Sequence, residues 1–348
     1  MRFKVTVSPS GRQFDVDDDE FILEAAMRQG VVLPYGCRDG ACGSCKARVL
    51  EGCIDQRPHA DRALGADEAA RGHALLCCAR ACSDLSIEAR VVAAAGDIPI
   101  RRMPCRIASI ERPAPDVAVL RLQLPANERL RYLAGQSIEL ALKDGSRRSY
   151  SMACAPHRAE GQIELHVRHM PGGRFTDALF GVVQPAVAVR DILRFEGPMG
   201  TFFLREDSER PIVFVASGTG FAPVKAMIEH ARHAGCARPM TLYWGGRRPR
   251  DLYLNALAQQ WMQEIDGFRY VPVVSEALPE DDWHGRTGFV HRAVMADLPD
   301  LSGYQVYACG APVVVDAARR DFTALCRLPP TEFFADSFTS AADRPNAG

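Results

Sequence analysis

The sequence predicts a multidomain chain that joins an α+β domain, an antiparallel β-barrel and an α/β domain with a parallel sheet. A first block is rich in cysteine, a second holds short strands separated by turns, and a third alternates strands with helices. With 348 residues, the chain exceeds the length that one hydrophobic core usually serves. We expect domains over residues 1–92, 101–205 and 207–340.

The composition excludes several classes of protein. Lysine and arginine number 42 and aspartate and glutamate 43, so the net charge of -1 offers no general affinity for nucleic acid. Hydrophobic residues make up 47% of the chain, which excludes disorder over most of its length. The N-terminus lacks the apolar segment of a secretion signal, and no apolar run reaches the roughly 18 residues of a membrane helix. We therefore expect a soluble cytoplasmic protein with neither a nucleic-acid nor a membrane partner.

The first block predicts strands, one helix and a cysteine-rich loop. Alternating apolar residues indicate strands in RFKVTVSP and GRQFDVD, and later in KARVLEG and DLSIEARVV. A helix is expected in DDDEFILEAAMRQG, with the acids of residues 17–19 at its start and Gly30 past its end.

The junction AAAGDIPIRRMP separates this block from the second, whose strands are expected in CRIASIERP, VAVLRLQLP, SIELALKDG, QIELHVRHM and ILRFEGP. In the third block, strands in PIVFVASG, PMTLYWGG, FRYVPVVS and YQVYACG alternate with helices in FAPVKAMIEHARHAG, LYLNALAQQWMQEI, RAVMADL and PVVVDAARRDFTALC. This alternation is typical of a parallel sheet covered by helices.

The cysteines carry the clearest motif. Seven of the 12 fall in the first block, at positions 37, 42, 45, 53, 77, 78 and 82. Cys37-x4-Cys42-x2-Cys45, followed later by Cys77, has the spacing of a plant-type [2Fe–2S] site, where four thiolates hold two irons. The intervening glycines at 36, 40 and 43 allow positive φ. The alternative is structural zinc, but zinc sites favour a second spaced pair, and Cys78 directly follows Cys77.

Residues 1–92 resemble a plant-type ferredoxin domain, which implies a β-grasp fold. The residues alone leave Cys77, Cys78 and Cys82 open as the fourth ligand; the resemblance favours Cys77, because it follows the apolar pair Leu75-Leu76. Cys53 lies outside the pattern and is expected to be a small buried hydrophobe. An exposed rim at residues 38, 39 and 41 of the cluster loop is the expected electron exit.

The second block holds two candidate flavin motifs. In the first, Arg148 can pair with a pyrophosphate, Tyr150 can stack on a flavin, and Ser151 can approach flavin N5. The second is the turn of Gly172 and Gly173 before Thr176, which can present N–H groups to phosphate. The alternatives are an exposed arginine with a core tyrosine, and a simple turn with a helix cap.

His166 and Arg168 lie on a strand between these two motifs. Both are candidates for the flavin site, because in reductases with similar motifs this segment runs beside the isoalloxazine and phosphates. A solvated strand face is the alternative.

The third block holds two turns at strand ends. Gly218-Thr219-Gly220 precedes a helix, and Pro223 replaces the third glycine of the dinucleotide fingerprint, although proline suits the first turn of a helix. Cys309 and Gly310 end the last predicted strand. A buried cysteine before a glycine turn is the alternative for this second pair.

The motifs R-x-Y-S, G-G-x-x-T, G-T-G-x-A-P and C-G-x-P occur in the order that is typical of the ferredoxin–NADP reductase superfamily. The whole chain resembles the NADH-dependent ferredoxin–flavin reductases of oxygenase systems. This resemblance implies FAD, NADH and a [2Fe–2S] cluster as cofactors, with Ser151 and Cys309 as catalytic residues. Cys309 would position the hydride path rather than act as a nucleophile.

Two further expectations concern the selectivity for NADH and an aromatic side chain that closes over the flavin. Ser275 and Glu276 end a strand where an acid suits the ribose 2′-hydroxyl and repels a 2′-phosphate, which favours NADH. Arg247 and Arg248 favour the opposite if they bind phosphate. Phe338 is the candidate to close over the flavin, with a packed terminal strand as the alternative.

Three functions remain open. The first is an electron-transfer reductase for an oxygenase. The second is a reductase for a deoxysugar dehydrase, because LPYGCRDGACGSCK, LRFEGPMGTFFLRE and ACGAPVVVDAARRDF are similar to the CDP-6-deoxy-Δ3,4-glucoseen reductases. The third is a redox sensor or zinc-binding adaptor without NADH turnover.

Overall fold

The computed structural model describes residues 1–96, 98–339 and 343. The chain divides into two compact units, one of residues 1–99 with 336–348 and one of residues 100–335. Within the described part of the chain, no helix has the length and apolar character needed to cross a bilayer.

The first unit contains a mixed five-stranded sheet in the order β2-β1-β7-β3-β5. Strand β1 pairs in parallel with β7, and the other pairs are antiparallel. Helix α1 buries one apolar face, and the short strands β4 and β6 form a separate two-stranded antiparallel sheet. The elements are β1 Arg2–Ser8, β2 Arg12–Asp17, α1 Ile22–Arg28, β3 Lys46–Glu51, β4 Ile54–Gln56, α2 Ala66–Ala70, β5 His73–Leu75, β6 Ala79–Ala81, β7 Leu85–Glu88 and α3 Ala93–Gly96.

The start of α1 differs from the prediction. Asp17 ends strand β2 and pairs with Arg2 at 3.2 Å, so it does not cap the helix. Phe21 occupies the cap position and supplies no side-chain hydrogen bond. Gly30 does follow the helix with φ of +74°, as predicted. The acids were misassigned because cross-strand pairing in β2 competes with capping.

The barrel strands run in the order β11-β10-β13-β8-β9-β12 and pair antiparallel with their neighbours. A bridge between Met152 and Leu165 links the two outer strands. Alternate side chains of these strands form one apolar core. The elements are β8 Arg101–Ala114, β9 Val117–Gln123, β10 Ser137–Ala141, β11 Arg147–Ser151, β12 Gln162–Arg168, α4 Arg174–Leu179 and β13 Ile192–Met199.

The α/β part has a six-stranded sheet in the order β17-β16-β15-β14-β18-β19. Parallel pairs join β14 to both β15 and β18, so the strand order reverses between β14 and β18. Such reversals create a crevice at the carboxyl ends of the strands. The elements are β14 Ile212–Ser217, α5 Phe221–His233, β15 Met240–Gly246, α6 Asn255–Glu264, β16 Phe268–Val274, β17 Arg286–Thr287, α7 Val290–Asp297, β18 Gln305–Gly310, α8 Pro312–Leu325 and β19 Phe333–Ser337.

The predicted fold class is confirmed, while several short elements were missed. The two-stranded sheet of β4 and β6 and the strand β17, which have three residues or fewer per strand, were not predicted. The flavin motif at residues 148–151 lies inside β11. Short strands carry too few alternating positions to be distinguished from loops.

Candidate functional site

The cysteine loop brings four sulfur atoms together in two pairs. The thiols of Cys37 and Cys42 contact each other, and so do those of Cys45 and Cys77. The backbone N–H groups of Cys37 and Ser44 point at Cys42 Sγ, at 3.4 and 3.5 Å. Two sulfur pairs with nearby N–H donors suit two bridged irons, each held by two thiolates.

Each pair contains one thiol whose pKa is lowered. The thiol of Cys37 donates to Cys42 and lowers the pKa of Cys42. The pKa of Cys77 is lowered by hydrogen bonds from Cys45 and then from Cys78. The other thiol of each pair, in Cys37 and Cys45, has its pKa raised by the same contact. Because thiolates are the form that binds metal, cluster binding has to remove the shared proton from each pair.

The backbone of the loop also suits a cluster. Gly40 has φ of +75°, and a β-carbon there would lie 3.2 Å from Cys78 Sγ. A β-carbon on Gly36 would lie 3.3 Å from Cys42 Sγ. Side chains at these glycines would therefore crowd the sulfur atoms. Within the described residues, no three His, Cys, Asp or Glu side chains surround a single metal position.

The other cysteines of the first block are placed differently. Cys78 is buried beside Cys77, and Gln56 Nε2 donates to its Sγ at 3.3 Å. Cys82 is exposed and contacts Cys53. The expectation that Cys53 is buried is wrong, because this residue, which directly precedes β4, is exposed. The expected rim also needs correction, since Ala41 is fully buried.

Strand β11 presents the residues of the first flavin motif. The side chain of Arg148 donates to the Arg147 carbonyl at 2.8 Å, and Ser151 is buried. The ring of Tyr150 lies 5.7 Å from that of Phe175, and burial raises the pKa of its hydroxyl. An aromatic face and a guanidinium on one strand can bind a flavin ring and its pyrophosphate.

The turn before α4 holds its own polar groups. The Thr176 hydroxyl donates to the carbonyls of Met170 and Gly173, at 2.9 and 3.1 Å. The Gly172 N–H donates to Asp177 at 3.1 Å. Gly172 has φ of +81° and open space around it, so a ligand can approach its backbone closely.

One face of β12 carries the side chains of Glu164, His166 and Arg168, which point at the α/β part. His166 is fully buried and lies 2.7 Å from the Tyr253 hydroxyl and 3.0 Å from Glu164. Arg168 donates to Asp251 at 3.0 Å, and a β-carbon on Gly218 would meet its guanidinium at 2.8 Å. The solvated strand face considered for His166 and Arg168 is therefore excluded.

A buried lysine, which the sequence analysis missed, joins the same face. Lys225 of α5 lies 3.0 Å from both Glu164 and Glu229 and donates to the Ala153 carbonyl at 3.0 Å. Burial would raise the pKa of Glu164, but hydrogen bonding to His166 and the charge of Lys225 lower it to about 2. The available signal was a lysine and a glutamate four residues apart in the otherwise apolar first nine residues of the helix.

The two glycine turns at the sheet crevice contact each other. A β-carbon on Gly220 would lie 2.1 Å from the Cys309 carbonyl oxygen. A β-carbon on Gly310, whose φ is +130°, would lie 2.4 Å from the Ser217 carbonyl oxygen. Thr219 and Pro223 are buried around the start of α5. The structure therefore brings both predicted motifs of the third block to the reversal between β14 and β18.

The candidate selectivity residues lie at the ends of β15 and β16. The Ser275 N–H donates to the Gly246 carbonyl at 3.0 Å, and Glu276 is exposed beside the Arg247 backbone. Arg248 makes a bidentate pair with Asp281 at 2.6 and 2.8 Å. Its guanidinium is thus already engaged by a carboxylate.

Phe338 directly follows β19 and is partly buried. Phe333 and Phe334 lie in this strand, whereas Phe338 lies just beyond it. Its approach to a flavin stays a prediction.

Three family models match successive parts of the chain. Residues 5–82 match a 2Fe-2S iron-sulfur cluster binding domain, residues 104–204 an oxidoreductase FAD-binding domain, and residues 214–320 an oxidoreductase NAD-binding domain. These matches confirm the expected cofactors and favour iron–sulfur over zinc.

Similar proteins cover nearly the whole chain. The CDP-6-deoxy-L-threo-D-glycero-4-hexulose-3-dehydrase reductase of Yersinia pseudotuberculosis is 41% identical over 97% of this chain and 99% of its own. Reductase component 1 of terephthalate 1,2-dioxygenase from Comamonas is 34% identical over 98% of both chains. The crystal structure of the Amycolatopsis cytochrome P450 reductase GcoB has a TM-score of 0.76 at 34% identity, covering 97% of this chain and 99% of that one.

Proposed function

This chain belongs to the family of electron-transfer reductases that join a ferredoxin domain to FAD- and NAD-binding domains, and on that premise we propose that it passes electrons from NADH to a sugar-nucleotide dehydrase. The observation that carries this choice of acceptor is the full-length similarity to a hexulose-3-dehydrase reductase. An oxygenase component is the second candidate acceptor, supported by the similarity to oxygenase and cytochrome P450 reductases.

The crevice at the carboxyl ends of β14 and β18 supports binding of a nicotinamide dinucleotide. There, a pyrophosphate would lie close to the backbone of Gly218 and Gly220, and Cys309 would position the nicotinamide. Glu276 supports NADH over NADPH, because a carboxylate binds a ribose 2′-hydroxyl and repels a 2′-phosphate. The pairing of Arg248 with Asp281 adds support, since this guanidinium is neutralised by the protein itself.

Arg148, Tyr150 and Ser151 would hold FAD, and Cys37, Cys42, Cys45 and Cys77 would hold the cluster. When bound, FAD takes two electrons as a hydride from NADH and releases them singly to the [2Fe–2S] cluster. The positive charge of Arg148 suits the pyrophosphate, and the Tyr150 ring offers a stacking face. The charged face of β12 fixes the barrel against α5, which keeps the flavin strand and the nicotinamide crevice in one body.

A cytoplasmic location is part of the proposal. Among the residues that the structure describes, no two cysteines are joined by a disulfide, which is typical of proteins kept in a reducing compartment.

The acceptor is tested by reconstitution with two purified partners. The full chain, NADH and a CDP-6-deoxy-hexulose 3-dehydrase with its substrate should give deoxygenated sugar product coupled to NADH oxidation. The oxygenase component of terephthalate dioxygenase serves as the matched alternative acceptor. Product with the oxygenase alone would support the second candidate, and coupling to neither would contradict both.

Turnover itself is tested with cytochrome c as an artificial acceptor. We expect NADH-dependent reduction of cytochrome c, with kcat/KM for NADH above that for NADPH by at least about tenfold. A protein that reduces cytochrome c with neither nucleotide would support the redox sensor or zinc adaptor instead.

A further inference from the structure

Cys53 and Cys82 face each other at the end of the two-stranded sheet of β4 and β6. Ile54 pairs with Ala81 in the antiparallel register, which places the two cysteines directly opposite at the next position. The Cys82 N–H donates to the Cys53 carbonyl at 3.0 Å, while the Cys53 N–H donates to the Ser83 hydroxyl at 3.0 Å. Their position therefore continues the ladder by one residue pair.

This placement brings the two cysteines within the range of a disulfide. Opposite residues of an antiparallel pair have α-carbons about 4.5–5.5 Å apart, within the roughly 4.4–6.8 Å seen across disulfides. The Cys82 thiol makes a side-chain hydrogen bond with Cys53, so the two side chains are in contact.

Both thiols are also open to solvent. Among the residues that the structure describes, Cys53 and Cys82 are the two exposed cysteines, whereas cysteine is among the residues most often buried in proteins. The four cysteines of the predicted cluster site are buried or partly buried. A small oxidant thus reaches this pair without entering the cluster loop.

Strand β4 and the residue after it also hold the segment that supplies the predicted fourth cluster ligand. Gln56 of β4 donates to the Cys78 carbonyl at 3.1 Å, and the Arg57 N–H donates to the same carbonyl at 2.8 Å. A bond between residues 53 and 82 would close the loop that contains Cys77. Such a crosslink restricts opening of this loop.

We propose that Cys53 and Cys82 form a reversible disulfide on reaction with hydrogen peroxide, and that this bond clamps the loop carrying Cys77. The second part rests on the proposed cluster site, whereas the first does not.

The chemistry balances with peroxide as the oxidant. Peroxide converts one thiol to a sulfenic acid and releases one water; the second thiol then attacks that sulfur, which forms the S–S bond and releases a second water. Two thiols lose two electrons and two protons, and one peroxide becomes two waters. A dithiol reductant restores both thiols by exchange.

Peptide mapping of the full chain tests the bond. Cleavage after Arg48, Arg62, Arg80 and Arg90 leaves Cys53 and Cys82 in separate peptides, both distinct from the peptide with Cys77 and Cys78. After treatment with one equivalent of peroxide and alkylation, we expect the two peptides linked, and released by dithiothreitol. Two fully alkylated peptides, or a link from Cys82 to Cys77 or Cys78, would overturn the proposal.

Matched variants keep the test specific. Cys53→Ser and Cys82→Ser should each abolish the crosslink, whereas Cys236→Ser, which removes a partly exposed cysteine elsewhere, should retain it. The clamp is read separately, as the rate at which a chelator bleaches the cluster absorbance. Oxidised wild type should lose colour at least about threefold more slowly than oxidised Cys53→Ser. Equal rates would overturn the clamp and leave the disulfide standing. A protein without cluster absorbance would contradict the cluster site, and with it the clamp, but not the disulfide.

Discussion

The carbonyl oxygen of Cys309 lies 2.1 Å from the position that a β-carbon on Gly220 would occupy. Only glycine permits this approach, because real β-carbons do not come so close to backbone atoms. The contact joins the ends of β14 and β18, and it places Cys309 beside the turn that opens α5. The two motifs of the nucleotide-binding part therefore act as one structural unit.

The variant Gly220→Ala should impair use of NADH. The added methyl group must displace the backbone of Cys309, and overpacking of this kind costs about 1–3 kcal/mol. We expect kcat/KM for NADH to fall by at least about tenfold in cytochrome c reduction, with FAD content unchanged.

Gly303→Ala is the control for this prediction, because a β-carbon there meets no atom within 4 Å. Its kcat/KM should match that of the wild type. Unchanged NADH kinetics in Gly220→Ala would show that the contact between the two turns does not matter for binding.

Substitution of two adjacent cysteines should identify the fourth cluster ligand. Cys77 contacts Cys45, whereas Cys78 is held by Gln56. We expect Cys77→Ser to lose most of its iron and visible cluster absorbance, and Cys78→Ser to retain both. The reverse pattern would make Cys78 the ligand.

The charge at the end of β16 should set the preference between the two nicotinamide nucleotides. In Glu276→Arg, a cation replaces an anion next to the expected ribose site, and a charge-assisted hydrogen bond contributes about 1.5–3 kcal/mol. The ratio of kcat/KM for NADPH to that for NADH should rise by at least about tenfold.

Glu209→Arg makes the same charge change at an exposed residue that precedes β14. This residue lies on the side of the amino end of the strand, away from the carboxyl ends where Glu276 lies. Its nucleotide preference should stay that of the wild type. A Glu276→Arg enzyme that also keeps its preference would place the 2′-hydroxyl site elsewhere.

Removal of the buried lysine should destabilise the second unit. Lys225→Met removes the buried cation that contacts Glu164 and Glu229, although Arg158 still pairs with Glu229 at 2.8 Å. Loss of one partner of a buried pair costs about 3–5 kcal/mol. Denaturant unfolding at neutral pH measures this loss. The exposed variant Lys143→Met should unfold like the wild type.

The effect of Lys225→Met on the free energy of unfolding should also depend on pH. The pKa of Glu164 is lowered from 4.5 to about 2, so its contribution is present above the first value and lost as pH falls toward the second. Without Lys225 that pKa rises, and the carboxyl is protonated at a higher pH. The stability gap between wild type and Lys225→Met should therefore narrow through this window, and a constant gap would show that Lys225 does not set the pKa.

Motifs of fixed spacing were predictable, because their chemistry is local. The loop from Cys37 to Cys45, the flavin motif at Arg148 and the turn at Gly218 could all be located from neighbouring residues. The direct contact between Gly220 and Cys309 could not, since it depends on strands far apart in the chain. Local sequence pattern predicts that both motifs lie at strand ends, but it does not predict which strand ends lie next to each other.

The polar face of β12 shows the limit most clearly. The alternation of Ile163, Leu165 and Val167 with polar residues correctly predicts a strand with one buried face. The partners of the other face, Lys225 and Tyr253, come from distant elements. A polar face covered by another domain has the same sequence pattern as one covered by water. Cys53 was misjudged for a related reason, because burial depends on tertiary packing rather than residue type.

The pairing of β14 with β18 also determines when the nucleotide-binding part can fold. Strand β14 is central in the sheet, yet one of its neighbours is synthesised only when the ribosome reaches residues 305–310. Until then, β14 has one open edge, and such edges can pair with other chains. Contacts between distant residues are also slow to form. The crevice between Gly220 and Cys309 is therefore completed late in biosynthesis, and a chain released before β18 would expose an aggregation-prone strand rather than a partial binding site.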